Sequence, residues 1–322
     1  MLFSMSPVEV LTDDYRAVTE ACGLLDRSER GKLALSGADA KSFLQGQVSN
    51  DVDAIAAGSG CYATFLTPKG KMLGDLRILD TGEELLLDTE RVALQELFNM
   101  IRRFSVGYDV HLHKRTVECG LLSLIGPESD AILPCPAPTD TEHAHVAGRI
   151  GGADVRVIRT DVGLDVLCAN DEAEALASAL EGAGAVPVTF DAAECVRIER
   201  GRPRYGIELD DTVIPQEAGL TDRAVSFTKG CYVGQETVAR LHYRGKPNRH
   251  LRGLRCTAPV SAGASVTFGE REVGHVGSAT VSPRLGPIAL ALIRREVAVG
   301  DVVSVGPDTI EAQVLELPFV RS

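Results

Sequence analysis

The sequence predicts an α+β protein with a mixed N-terminal part and an all-β tail. Three observations carry this. Helix-like and strand-like periodicities alternate up to about residue 245. From about Leu251 onward only short β runs occur, separated by Gly, Pro and charged turns. The loop Arg244-Gly245-Lys246-Pro247-Asn248 divides the two regimes.

In chain order, 32–35 reads as a strand, and Ser36-Gly37-Ala38-Asp39 resembles a capping box with aspartate in the Glu/Gln slot. It starts a helix carrying Phe43 and Leu44. Residues 61–66 and 71–79 are strands around the turn Thr67-Pro68-Lys69-Gly70, and 84–88 adds another. Leu94, Leu97, Phe98 and Ile101 keep helical spacing, which predicts an amphipathic helix over 90–103. Residues 116–125 read as a strand, followed by a loop holding Pro127, Pro134, Pro136 and Pro138. Strands follow at 155–159 and 164–169, then a helix over 171–180 stopped by Gly182 and Gly184. Asp191 and Glu194 resemble a capping box for a helix running to Arg200 and ended by Gly201 and Pro203. In the tail, 264–268, 275–281, 288–293, 302–305 and 311–317 read as strands of a small barrel or sandwich.

The length of 322 residues suggests two or three domains, and 44% hydrophobic with 24% charged residues is ordinary for a globular protein. A net charge of −12 means that the surface as a whole does not attract nucleic acid or anionic membrane. An anionic partner must therefore meet a local basic patch. Met1-Leu2-Phe3-Ser4-Met5-Ser6-Pro7 reads as neither a secretory signal nor a transit peptide, and no apolar run approaches the ~18 residues of a membrane span. The eight cysteines include no C-x-x-C pair, which argues against a zinc site or dithiol centre. Several lie in apolar runs, as reduced thiols of a cytoplasmic protein do.

Four features could carry chemistry. In Lys229-Gly230-Cys231-Tyr232-Val233-Gly234-Gln235-Glu236, two glycines flank a cysteine just ahead of a helix-like run. A nearby ammonium and a helix N-terminus both favour the thiolate, so Cys231 is expected to face a cleft as a polarised thiol. The plainer reading is a packed small hydrophobe. On the helix over 191–200, Cys195 and Glu199 share a face with Ala192. A carboxylate there must be paired. Its partner is either one of Arg197, Arg200, Arg202 and Arg204, or a flat donor-rich heterocycle such as a pterin. Arg240, Arg244, Lys246, Arg249, Arg252 and Arg255 form a stretch free of acids, interleaved with His242, Tyr243 and His250. It is a solvated face or a receiver of anions. His111-x-His113 and His143-x-His145 lack further ligands nearby in sequence and read as structural or exposed. Phosphate-loop, dinucleotide and nucleophile-elbow motifs are absent from the sequence.

The octapeptide resembles the signature of the folate-binding YgfZ proteins, relatives of the glycine cleavage T-protein (aminomethyltransferase). Four further blocks resemble the same family in order: Phe43-Leu44-Gln45-Gly46-Gln47-Val48-Ser49-Asn50-Asp51; the hairpin from Tyr62 to Leu76; Arg197-Ile198-Glu199-Arg200-Gly201-Arg202-Pro203-Arg204-Tyr205-Gly206-Ile207-Glu208; and Ile214-Pro215-Gln216-Glu217-Ala218-Gly219-Leu220. The resemblance implies a three-domain ring of T-protein type, with two α/β domains and a C-terminal β-barrel around a channel for tetrahydrofolate. Its expected domains are 1–115 with 190–245, then 116–189, then 246–322.

It further implies that Glu199 holds the pterin and that Lys229 and Cys231 are the functional pair of the YgfZ branch. Tyr62, Tyr205 or Phe227 would stack on the folate, and the basic stretch from Arg240 would take its glutamate tail or a client. T-proteins carry two adjacent aspartates where this chain has Gly74-Asp75. The loss of one puts aminomethyl transfer in doubt, although Asp75 could still touch a folate nitrogen. The expected function is a cytoplasmic, tetrahydrofolate-binding accessory factor for maturation or repair of iron–sulfur client enzymes, including some that modify tRNA. A folate-dependent one-carbon transferase or demethylase using Asp75, and a tRNA-binding accessory factor, are the alternatives.

Overall fold

The computed structural model describes residues 7–320. The leader reading of Met1–Pro7 falls, up to Ser6, outside them. Two antiparallel-rich sheets and one closed barrel organise the chain. The first sheet has the strand order Ser59–Leu66, Met72–Asp80, Leu85–Thr89, Gly31–Ser36, His111–Lys114. Helices Ala40–Gln47 and Leu94–Phe104 cover it, and Phe43, Leu44, Leu97 and Ile101 pack onto Leu33, Leu35, Phe65 and Ile78. Burying a side chain of this size stabilises by about 1.5–3 kcal/mol, so this cluster anchors the hairpin that later carries Asp75.

The second sheet runs Val186–Pro187, Gly23–Asp26, Cys119–Ile125, Gly163–Ala169, Ala153–Arg159, His145–Ile150. Helix Ala173–Gly182 presents Leu176 and Leu180 to it. Gly23–Asp26 lies within the segment expected in the first domain, yet it pairs with Cys119–Ile125 in the second sheet. The tail closes into a six-stranded barrel, with order Arg249–Cys256, Gly286–Arg294, Arg271–Ser282, Ser265–Phe268, Val302–Val305, Ile310–Leu315. Helix Phe190–Glu199 packs on helix Pro7–Glu20 and on the barrel, so its C-terminal end is held at the junction of these parts.

Both expected capping boxes are corrected. Ser36 Oγ pairs with His113 Nε2 at 2.9 Å, and an Asp39 carboxylate oxygen accepts from the Asp109 N–H at 2.9 Å, so neither side chain caps helix Ala40–Gln47. The later helix begins at Phe190 after an extended Thr189, and Glu194 turns to Arg197 instead of back to the cap. The helix expected over 90–103 opens as a single 3-10 turn, Arg91–Ala93, before Leu94–Phe104. Among the described residues no helix is long and apolar enough to cross a membrane.

Candidate functional site

Glu199 ends its helix one turn after Cys195, on the buried face that Ala192 also occupies. It is 4% exposed. The arginine-pair reading fails here. Arg197 pairs with Glu194 and Glu208, Arg202 with Asp161, and Arg204 with Glu194. No cation bridges Glu199 among the described residues. Neutral donors hold it instead: Tyr15 Oη donates at 2.8 and 3.0 Å to its two oxygens, Ser282 Oγ donates to Oε1, and Cys195 Sγ lies 3.8 Å from Oε1. Burial, reinforced by Glu199, pushes the Cys195 thiol up to about 12 and the Tyr15 phenol well above its ordinary value. Both are therefore protonated donors at neutral pH. A carboxylate offers about four acceptor positions, and among the described residues Oε2 receives only the shared Tyr15 bond.

Glu199 lines a cavity of about 780 Å³ walled by helix Pro7–Glu20, the second sheet, its own helix and the barrel turn at Pro283 and Arg284. Small-molecule sites span roughly 300–1,000 Å³. Arg200 and Arg284 also line it, and neither forms an ion pair among the described residues.

Strand Met72–Asp80 places Asp75 in a neighbouring hollow of about 220 Å³. The two spaces share Asp161 and Val162 as a common wall. Tyr62 Oη donates to Asp75 Oδ2 at 2.5 Å. Burial raises the Asp75 carboxyl to about 6, against the opposing pull of the Tyr62 bond and Arg30. The group thus sits near the pH where it can exchange a proton. The missing second aspartate has a packing reason: a Cβ on Gly74 would meet the Phe65 ring at 2.4 Å and Ala93 Cβ at 2.8 Å.

The Lys229–Glu236 segment is fixed by a left-handed Gly234 (φ 86°), where a Cβ would lie 2.7 Å from the Thr67 carbonyl oxygen. Helix Gln235–Arg244 starts immediately after it. Lys229 is buried, and its Nζ donates to the carbonyls of Gln45, Val48 and Asn50 at 2.6, 2.8 and 2.6 Å. All three ammonium protons are engaged at the C-terminal end of helix Ala40–Gln47, where a cation is favoured. Burial pulls this amine down to about 8, so it remains cationic at neutral pH.

The expected role of Lys229 is revised accordingly: it clamps the loop instead of aiming at the Cys231 thiol. Cys231 is exposed and lines neither hollow, so the expectation of a cleft-facing thiol is also revised.

Of the side chains expected to stack on the folate, Tyr62 lines the smaller hollow, whereas Tyr205 and Phe227 line neither. Tyr205 packs between two apolar clusters, and burial lifts its phenol to about 12. Phe227 stacks on His242 with ring centroids 3.8 Å apart, and Tyr243 meets both edge-on. Arg240 sits exposed on helix Gln235–Arg244, lining neither hollow. Arg249 and Arg252 are drawn into pairs with Glu217 and Glu316, whereas Arg240, Arg244 and Lys246 form no ion pair among the described residues. Tyr15 and Ser282, which hold Glu199, escaped sequence reasoning. The i, i+3 spacing of the buried Tyr15 and Val18 was the available signal for the first. No cluster of His, Cys, Asp and Glu suited to a metal ion occurs among the described residues.

Residues 4–229 match the GCVT N-terminal domain, and 249–321 match the glycine cleavage T-protein C-terminal barrel domain. An aminomethyltransferase of Rubrobacter xylanophilus is 30% identical over 319 residues, covering 96% of this chain and 86% of that protein. A putative chloroplast transferase of Arabidopsis thaliana is 29% identical over 308 residues, covering 92% and 71%. The crystal structure of glycine cleavage system aminomethyltransferase T from Bartonella henselae superimposes with a TM-score of 0.86 at 23% identity, covering 96% of this chain and 89% of that one. With its two α/β parts and closed barrel arranged as in a T-protein, this chain belongs to the glycine cleavage T-protein (GCVT) family.

Proposed function

We propose that this protein is a tetrahydrofolate-binding, YgfZ-type member of its family that supports iron–sulfur client enzymes in the cytoplasm. The observation that carries the folate reading is Glu199: a buried carboxylate with no cation partner among the described residues, facing a cavity of about 780 Å³. A pterin presents adjacent N–H and NH2 donors, which match the free acceptor capacity of Oε2. Arg200 and Arg284, on the same cavity, suit the glutamate carboxylates better than Arg240 does. When bound, a reduced folate supplies a carrier for one-carbon units. Calorimetric titration with tetrahydrofolate, wild type against Glu199→Ala, tests this reading.

The client role leans on the octapeptide and on an exposed Cys231. Lys229 locks its loop, and Arg240 and Arg244 on the helix that follows, with Lys246 just beyond its end, form no ion pair among the described residues. That surface suits an acidic client or tRNA. Cys231→Ala is expected to keep the fold and folate binding but to abolish support of iron–sulfur client enzymes. Full rescue of client activity by this variant would remove the thiol from the function.

A second reading, one-carbon transfer, is favoured by the Asp75–Tyr62 pair with its carboxyl at about 6. If it holds, wild type forms a one-carbon folate from an aminomethyl donor, with a rate that climbs as Asp75 ionises through about pH 6. Asp75→Asn then loses about 100-fold or more. Absence of any one-carbon folate product from wild type would discard this reading.

A further inference from the structure

The hollow beside Asp75 has an edge that the folate reading does not use. Arg27 lines it, and its side chain donates no hydrogen bond among the described residues. Its Nε is buried without an acceptor, and its Nη2 lies 3.7 Å from Glu90 Oε1, too far for a hydrogen bond. Nε and Nη2 form the side edge of a guanidinium, the fork that grips two oxygens of one group.

The acids nearby are already engaged. Arg30 takes Asp88 at 2.8 Å and also Glu90, while Arg77 and Ser123 hold Asp165 at 2.7 and 2.6 Å. Glu90 stands at ion-pair distance from Arg27, but among the described residues no carboxylate oxygen hydrogen-bonds to the Arg27 fork, and a desolvated donor without an acceptor is costly. A second orphan shares the hollow. His143 has a buried Nδ1 with no partner among the described residues, and it adopts a left-handed backbone (φ 72°) that residues other than Gly rarely take. Arg223 joins the opposite walls: it reaches Glu142, the neighbour of His143, and stands 5.1 Å over the Tyr62 ring beside Asp75.

We propose that this hollow is a binding site for a second small molecule carrying a carboxylate or phosphate group, whose oxygens accept from the Arg27 fork while His143 donates a further hydrogen bond through Nδ1–H. At about 30 Å³ per water-sized group, the space of about 220 Å³ admits only a compact ligand. The site is independent of the folate reading, because the anion is titrated with no folate present.

The test is a thermal-shift titration of the full chain with sodium acetate and with sodium phosphate, against sodium chloride at matched ionic strength. A saturable rise over chloride is expected with acetate if the group is a carboxylate, and with phosphate if it is a phosphate. Arg27→Gln should weaken the apparent affinity at least about tenfold. Arg27→Lys keeps the charge without the fork and should lose as much, which preserves the test if the glutamine variant does not fold. A wild-type response no larger than chloride's, or equal curves for wild type and Arg27→Lys, would overturn the site. So would a response that vanishes at saturating tetrahydrofolate, since the folate's own tail would then be the occupant.

Discussion

Arg77→Ala is expected to destabilise the protein by about 3–5 kcal/mol, read as a lower urea midpoint. Arg77 projects from strand Met72–Asp80 of the first sheet. It bridges Asp88 at 2.9 Å within that sheet and Asp165 at 2.7 Å on strand Gly163–Ala169 of the second. All three side chains are 9–12% exposed. Removing the cation leaves Asp165, on the wall of the hollow beside Asp75, with the Ser123 hydroxyl at 2.6 Å as its one remaining hydrogen-bond donor among the described residues. The cost comes from the stranded charge more than from the lost attraction, so Arg77→Met with Asp165→Leu should recover most of the loss. Equal destabilisation of single and double variants would show that packing, and not charge, joins the sheets there.

The same cluster sets a pH dependence. Burial opposes ionisation of Asp88, but Arg30 and Arg77 outweigh it and hold its carboxyl at about 2. A folded value below the unfolded one gives stability that is present above the ordinary carboxylate range and is lost as pH falls from about 4 towards 2. Asp75 has the opposite sign. Its carboxyl sits at about 6, so the stability linked to its protonated form is present below about pH 4 and is lost as pH rises through about 6. With Arg77 gone, Asp88 keeps its bridge to Arg30 and the weaker pull of Arg27, and the acid limb of the urea midpoint should move to higher pH.

Much of the fold was legible in the sequence because hydrophobic spacing is a local signal. Leu94, Leu97 and Ile101 marked their helix face, and the turn 67–70 marked its hairpin, where Gly70 takes a positive φ. The caps misled because Ser36 and Asp39 found partners in the strand and loop beside them, a competition invisible to a four-residue pattern.

The candidate site was half legible for the same reason. Glu199 stood out as a carboxylate on an apolar stripe, but Tyr15, 184 residues away, and Ser282, 83 away, carry no local mark of meeting it. Lys229 was noticed for its charge. Its partners are backbone carbonyls, which have no residue-type signature at all.

Glu199→Gln is expected to separate the fold from the ligand. Alanine at this position removes the acceptor for Tyr15 and Ser282, and each orphaned donor costs about 1–3 kcal/mol, towards the lower end where water can enter from the adjoining cavity. Glutamine keeps the volume and one acceptor oxygen, so the Tyr15 and Ser282 hydroxyls can turn to it and the thermal midpoint should stay near wild type. Ligand binding should not be spared. A carboxylate accepts two donors in a charge-assisted fork, whereas glutamine offers one oxygen and sets an NH2 against the second donor. A loss of about 3 kcal/mol corresponds to roughly 100-fold in Kd, so tetrahydrofolate affinity should fall by that order in Glu199→Gln and at least as far in Glu199→Ala. Wild-type affinity in the glutamine variant would mean that Glu199 serves the packing of helices Pro7–Glu20 and Phe190–Glu199, with the pterin held elsewhere. A wild-type protein with no affinity for reduced folates would remove the premise itself, since the carboxylate would then be a hydroxyl-bound structural group at the domain junction.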